Sequence, residues 1–165
     1  MSAARHLYLR EPRSGLDVRL ELLSSKAPQN AEFLWTFLEQ PRSVDALHGM
    51  YTGPEISFPL DALAASEVWG EGALPLENAT VFPAAGDLLL TYLPSRVWGG
   101  GERPVFDLGL FYAPGGRTLL PVGLIPGSVC ARVAPQDVEA AAAACQRIRR
   151  IGAVVVEIGR AEAAV

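Results

Sequence analysis

Apolar and polar side chains alternate from Leu16 to Leu23, with Val18, Leu20 and Leu22 on one face and Asp17, Arg19 and Glu21 on the other. That period of two predicts a strand with one face in a core. His6 to Leu9 alternates in the same way, and Glu11-Pro12-Arg13-Ser14-Gly15 between the two reads as a turn. After Ser24-Ser25-Lys26-Ala27-Pro28 the period changes. Ala31, Leu34, Trp35 and Leu38 recur at helical spacing, so a helix with proline in its first turn should run to Gln40, before Pro41. At that spacing Trp35 and Phe37 read as packing against a sheet rather than as a ligand stripe.

Period two returns over Arg42 to Met50 and Glu55 to Leu60, on either side of Gly53-Pro54. As strands, these put His48 and Met50 on one face and Leu47, Gly49 and Tyr51 on the other. Asp61 to Leu76 has no sustained pattern and predicts a long loop with one short helix. Further strands are expected over Thr80 to Phe82, Asp87 to Leu93, Phe106 to Tyr112, Thr118 to Val122 and Ser128 to Val133. A second helix runs from Pro135 to Ile151, with Val138, Ala141, Ala142, Cys145 and Ile148 on one face and Gly152 as its stop. Ala153 to Ile158 is a β-branched strand, and residues 159–165 read as a tail. Two helices far apart in sequence cannot supply crossovers for so many strands. The pattern therefore predicts a mainly β chain: one domain over residues 1–165, built as a closed antiparallel barrel of about eight strands capped by two helices.

Composition narrows the functional classes. Half of the 165 residues are hydrophobic, enough for a sizeable core. The formal net charge of −4 argues against nucleic acid, whose phosphates demand Lys and Arg. Arg147, Arg149 and Arg150 read as the solvated end of the second helix. There is no apolar run of about 18 residues and no apolar core in MSAARHLYLREPR, so no membrane partner is expected and the expected address is cytoplasmic. Cys130 and Cys145 lack CxxC spacing and read as small buried hydrophobes, while His6 and His48 stand far apart, so neither a metal nor a cofactor is expected. Gly99-Gly100-Gly101 is not followed by a phosphate-loop lysine, and no GxSxG nucleophile pattern occurs.

Particular residues resemble a known family. Arg19-Leu20-Glu21-Leu22 and then Lys26-Ala27-Pro28-Gln29-Asn30-Ala31-Glu32-Phe33 resemble the cyclophilin strand, Pro-Lys-Thr-Ala-Glu-Asn-Phe and first helix. Val129-Cys130-Ala131-Arg132-Val133 and Asp137-Val138 are similar to its Val-Phe-Gly-Lys-Val and Asp-Val, and Val154 to Ile158 sits where its closing strand should. More closely, the chain resembles a family of uncharacterised prokaryotic proteins with a cyclophilin-like fold. That likeness rests on His48 with Gly53 and Glu55, on Glu77-Asn78-Ala79-Thr80-Val81-Phe82-Pro83 before Gly86-Asp87, and on Phe111-Tyr112 before Pro121-Val122-Gly123.

Cyclophilins are peptidyl-prolyl isomerases that set an arginine against the substrate amide. The resemblance places their Phe-His-Arg on Leu47-His48-Gly49, or on His48-Gly49-Met50 if the register slips by one. Neither register supplies the arginine, and their Phe-x-x-Gln is not reproduced by Phe58-Pro59-Leu60-Asp61, which argues against an ordinary isomerase.

Three readings follow. In the first, a small polar molecule or short peptide binds a barrel-side pocket formed by His48, Met50, Tyr51, Glu55, Phe58, Phe111 and Tyr112, with Arg96 and Arg103 in reach of an anionic group. His48 and Glu55 are its candidate catalytic groups, the histidine as a base near neutrality; against this stands a histidine hydrogen-bonded into the barrel wall. The second is a weak isomerase using Arg96 or Arg103, and the third a non-catalytic assembly module. Homo-oligomerisation is compatible with all three.

Overall fold

The computed structural model describes residues 4–161. The first alternating segments form β1 (His6–Glu11) and β2 (Leu16–Leu22), an antiparallel pair in register from Leu7 opposite Leu20 to Leu9 opposite Val18. The chain continues through α1 (Pro28–Phe37), β3 (Arg42–His48), β4 (Glu55–Pro59), α2 (Ala62–Trp69), β5 (Ala79–Thr80), β6 (Asp87–Leu93), β7 (Val105–Phe111), β8 (Leu119–Leu120) and β9 (Gly123–Leu124). β10 (Gly127–Val133), a 3-10 turn at Pro135–Asp137, α3 (Val138–Ile151) and β11 (Val154–Ala161) complete it.

Neighbouring strands run β2-β1-β11-β3-β4-β7-β6-β10, and β10 pairs back onto β2 through Ala131 opposite Leu22 and Val133 opposite Leu20. The result is a closed eight-stranded antiparallel barrel with no free edge around its circumference. β5 attaches beside β10, and β8 with β9 makes a separate two-stranded ribbon. Inward-facing Leu7, Leu20, Ile56, Phe58, Leu88, Leu108, Leu110 and Val156 fill the interior and are buried.

The helices close the two ends. Phe33 of α1 stacks on Phe106 at 5.6 Å and meets Trp69 of α2 edge-on at 6.2 Å. At the other end α3 buries Ala141, Ala144, Cys145 and Ile148, and Arg147 Nε donates to the Ser14 carbonyl in the β1–β2 turn. The start of α1 carries no side-chain cap of its own; Glu77 accepts hydrogen bonds from the Gln29 and Asn30 backbone N–H groups at 3.2 and 2.9 Å.

The short helix expected in the patternless stretch is α2, and the Asp61 carboxylate caps it, accepting from the Ala64 N–H at 2.7 Å. Two expectations need correction. Residues 159–161 are not tail but strand, since His6 to Tyr8 pair with Gly159 to Ala161; the rest of the expected tail, 162–165, lies outside the described residues. Finally, β3 stops at His48, so Met50 belongs to the turn rather than to a strand face. No helix among the described residues is long and apolar enough to cross a membrane.

Candidate functional site

The outer face of β4, β7 and β6 carries a polar patch. Ile56 and Phe58 point into the barrel, which turns Glu55, Ser57 and Pro59 outward; likewise Phe106, Leu108 and Leu110 turn Asp107 and Gly109 outward. Register places Ser57 opposite Gly109, and Asp107 between Pro59 of β4 and Thr91 of β6. Over this floor opens a cavity of about 450 Å³. Its walls are apolar: Leu47, Leu93 and Val105 from the strands, Trp98 from the β6–β7 loop, and Leu120 and Pro121 from the β8–β9 ribbon. Met50 and Tyr51 form the rim, held on a turn pinned by the Tyr112 N–H to the Pro54 carbonyl at 3.0 Å and the Arg117 N–H to the Thr52 carbonyl at 2.9 Å.

Two carboxyl groups lie in the floor. Glu55 is 6% exposed, and Thr52 Oγ1 donates to its Oε2. Gly49 and Gly109 make room for it: a Cβ at Gly49 would run into Thr52 Oγ1 and Glu55, and one at Gly109 into Glu55 Oε1. Asp107 accepts from Ser57 Oγ at 2.8 Å. Burial raises the Glu55 carboxyl above its ordinary range despite the Thr52 hydrogen bond. Burial, and then the adjacent Glu55 charge, push Asp107 up to about 7, against the pull of Ser57. Below about pH 7 the Asp107 carboxyl therefore holds a proton that an exposed carboxylate would have lost. Thr118 lines the same cavity, is 5% exposed, and its Oγ1 has no hydrogen-bond partner.

The residues expected from the sequence divide. Met50, Tyr51 and Glu55 meet at the cavity. His48 does not line it: Nδ1 faces the Gly49 carbonyl at 2.9 Å, and Nε2 faces the Tyr112 hydroxyl at 2.8 Å. A carbonyl only accepts, so Nδ1 carries the proton and Nε2 accepts from Tyr112, which joins the ends of β3 and β7. Burial, reinforced by Arg149, lowers the His48 pKa and keeps the ring neutral, against the Gly49 carbonyl. Phe58 is in the barrel core, and Phe111 packs outside it with Leu89 and Val129. Arg96 and Arg103 are exposed and stand away from the cavity lining.

Asp107, Ser57, Thr52, Thr91 and Thr118 escaped the sequence reading. Asp107 had one signal, a lone carboxylate two positions before a glycine in an otherwise apolar strand. Among the described residues, no three His, Cys, Asp or Glu side chains gather as they would to hold a metal ion.

A closed eight-stranded barrel with helices over its ends and a cavity on its outer wall is a cyclophilin-like architecture. The chain belongs to the family described as "Protein of unknown function (DUF3830)", whose model matches residues 11–159. Solved structures with the same fold include McbB in complex with tryptophan (TM-score 0.54, 19% identity, 96% of this chain) and the hypothetical protein AF2241 from Archaeoglobus fulgidus (TM-score 0.51, 19% identity, 98% of both chains). The Mimivirus cyclophilin matches with a TM-score of 0.53 and 11% identity over 97% of this chain and 90% of its own. This chain spans 46% of the McbB chain. No curated protein matches it in sequence.

Proposed function

We propose that the protein binds a small molecule, with an apolar body and a polar head group, in the barrel-side cavity. The observation that carries this is the cavity itself: about 450 Å³, walled by apolar side chains, over a floor holding Glu55 and Asp107. Its size falls in the range of small-ligand sites, and few polar groups converging under apolar walls is the arrangement such sites share. A short peptide would have to pair its backbone with the β8–β9 ribbon, because the closed barrel wall itself offers no free strand edge there. The weak-isomerase alternative draws no support from the site, since Arg96 and Arg103 stand outside it.

A thermal-shift screen of small organic molecules tests the reading, with Thr91→Trp as the cavity-filling control. Compounds should raise the melting temperature of the natural protein and leave that of the filled variant unmoved. Equal shifts in both proteins would place binding elsewhere and sink the proposal.

A further inference from the structure

Resting on that binding reading, we infer that the head group this cavity takes is an organic cation, of the size of a primary ammonium, held by Glu55 and Asp107 with Thr118 Oγ1 as a further acceptor. Three observations converge. The cavity lining contains two carboxyl groups and no Lys, Arg or His, so no cationic side chain in it offsets the charge of an anionic head. An ammonium is a pure donor with three N–H groups, and the floor offers acceptors: both carboxylates and a hydroxyl that the protein itself leaves without a partner. A buried hydroxyl in that state is costly unless something else satisfies it, which points to a group that arrives with the ligand.

The alternatives fit less well. A hard metal ion wants six or more oxygen ligands, and no third carboxylate, histidine or thiolate joins Glu55 and Asp107. The apolar walls and the Tyr51 and Trp98 rings suit a hydrocarbon body. A neutral donor could be accommodated, but it would leave the Asp107 proton in place. A cation replaces that proton, and this difference can be measured.

The titratable groups facing the pair are few. Glu55 stands on β4, Asp107 on β7 and Tyr51 on the rim; the lining positions of β6, β8 and the Trp98 loop carry none. A bound cation favours the ionised form of Asp107, whose carboxyl otherwise holds its proton up to about pH 7. Binding at pH 6 should therefore release about one proton, falling toward zero above pH 8.

The test is isothermal titration calorimetry with primary amines bearing aryl, alkyl and cycloalkyl bodies, each beside its alcohol and carboxylic-acid counterpart. Titrations at pH 6 and pH 8, in buffers of different ionisation enthalpy, count protons. At least one amine should bind about tenfold or more tighter than its alcohol, as expected for a charge-assisted hydrogen bond, and the acids should not bind. Asp107→Asn keeps an oxygen for the Ser57 hydrogen bond and should remove the amine's advantage over its alcohol together with its proton release. Thr118→Val should weaken the amine several-fold. Proton release is read on the natural protein, so a variant that folds poorly does not spare the inference.

An alcohol that binds as well as its amine would overturn the cationic head while leaving the cavity reading intact. So would a failure of every amine while other molecules bind and are excluded by Thr91→Trp. Calcium or magnesium binding with protons released, and no amine binding, would overturn it in favour of a metal. If nothing binds the natural protein, the cavity reading falls as well.

Discussion

The proton that Asp107 holds in the fold predicts a particular pH dependence of stability. Asp107 has an ordinary carboxyl pKa of 3.8 and is held at about 7 in the fold, first by burial and then by Glu55. A raised acid pKa means that the folded state keeps a proton which the unfolded chain has already lost. The sign follows. Asp107 costs nothing below about pH 4, the cost grows as pH rises from there toward 7, and it levels off above. Holding the carboxyl at about 7 instead of 3.8 corresponds to about 4 kcal/mol in full, about two-thirds of it falling between pH 5 and 8.5. The carboxyl is half-buried and keeps some contact with solvent through the cavity mouth, so screening reduces the usable effect over that range to about 1–2 kcal/mol. Asp107→Asn removes the ionisation and relieves Glu55 of a like charge. Urea unfolding of both proteins at half-unit steps from pH 5 to 8.5 isolates the effect, because Glu11 and Glu77, whose hydrogen bonds outweigh burial and hold them low, cancel in the difference. The variant should gain stability relative to the natural protein steadily up to pH 7 and then run parallel to it. A difference that stays flat across the range would show that Asp107 is ionised throughout, and the account of the pair would be wrong.

Other consequences follow from single contacts. Gly109→Ala pushes a Cβ into Glu55 and against the Phe111 ring at 3.2 Å, and should lower stability by about 1–3 kcal/mol in denaturant titrations while disturbing the cavity floor. Tyr112→Phe removes the hydrogen bond to His48 and should cost about 1 kcal/mol without altering cavity binding, which would separate His48 from the site; altered binding would return it there. Cys130 and Cys145, buried thiols pushed up to about 12 by desolvation, should resist a thiol reagent at pH 8 in the native protein and react at once in denaturant.

The barrel was legible where one face of a strand is buried and the other is wet. β2 shows this at Leu16, Val18, Leu20 and Leu22, all buried, between exposed or half-buried polar residues. α3 was legible because its apolar face keeps helical period against the barrel end. The site was only half legible. The stretch from Leu47 to Leu60 does hold part of it, but strand periodicity was carried two residues too far: β3 ends at His48, and Met50, 81% exposed, hangs on the turn. His48 reads in sequence as a titratable group among apolar ones, yet in the fold it fastens β3 to Tyr112. The Asp107 carboxylate reads in sequence as one more polar residue on a strand. Its chemistry comes from barrel closure, which lays β7 beside a β4 about 50 residues earlier and puts Asp107 near Ser57 and Glu55.

The resemblance to cyclophilins gains physical meaning at Gly49. There, or at Met50 in the slipped register, the family resemblance would set the arginine that stabilises negative charge on a twisting amide. Even the first carbon of a side chain at Gly49 has no room, because Thr52 and Glu55 already fill the space. Met50 points its apolar chain to solvent at the rim. So the outer wall of the same barrel presents a buried carboxylate where the resemblance calls for a cation, and β7 adds a second beside it. A floor of that sign opposes charge building on an amide oxygen and favours a ligand that is itself positive. The two carboxylates therefore give this face a sign opposite to the one an arginine at Gly49 or Met50 would give it, so likeness of fold does not carry the isomerase chemistry with it.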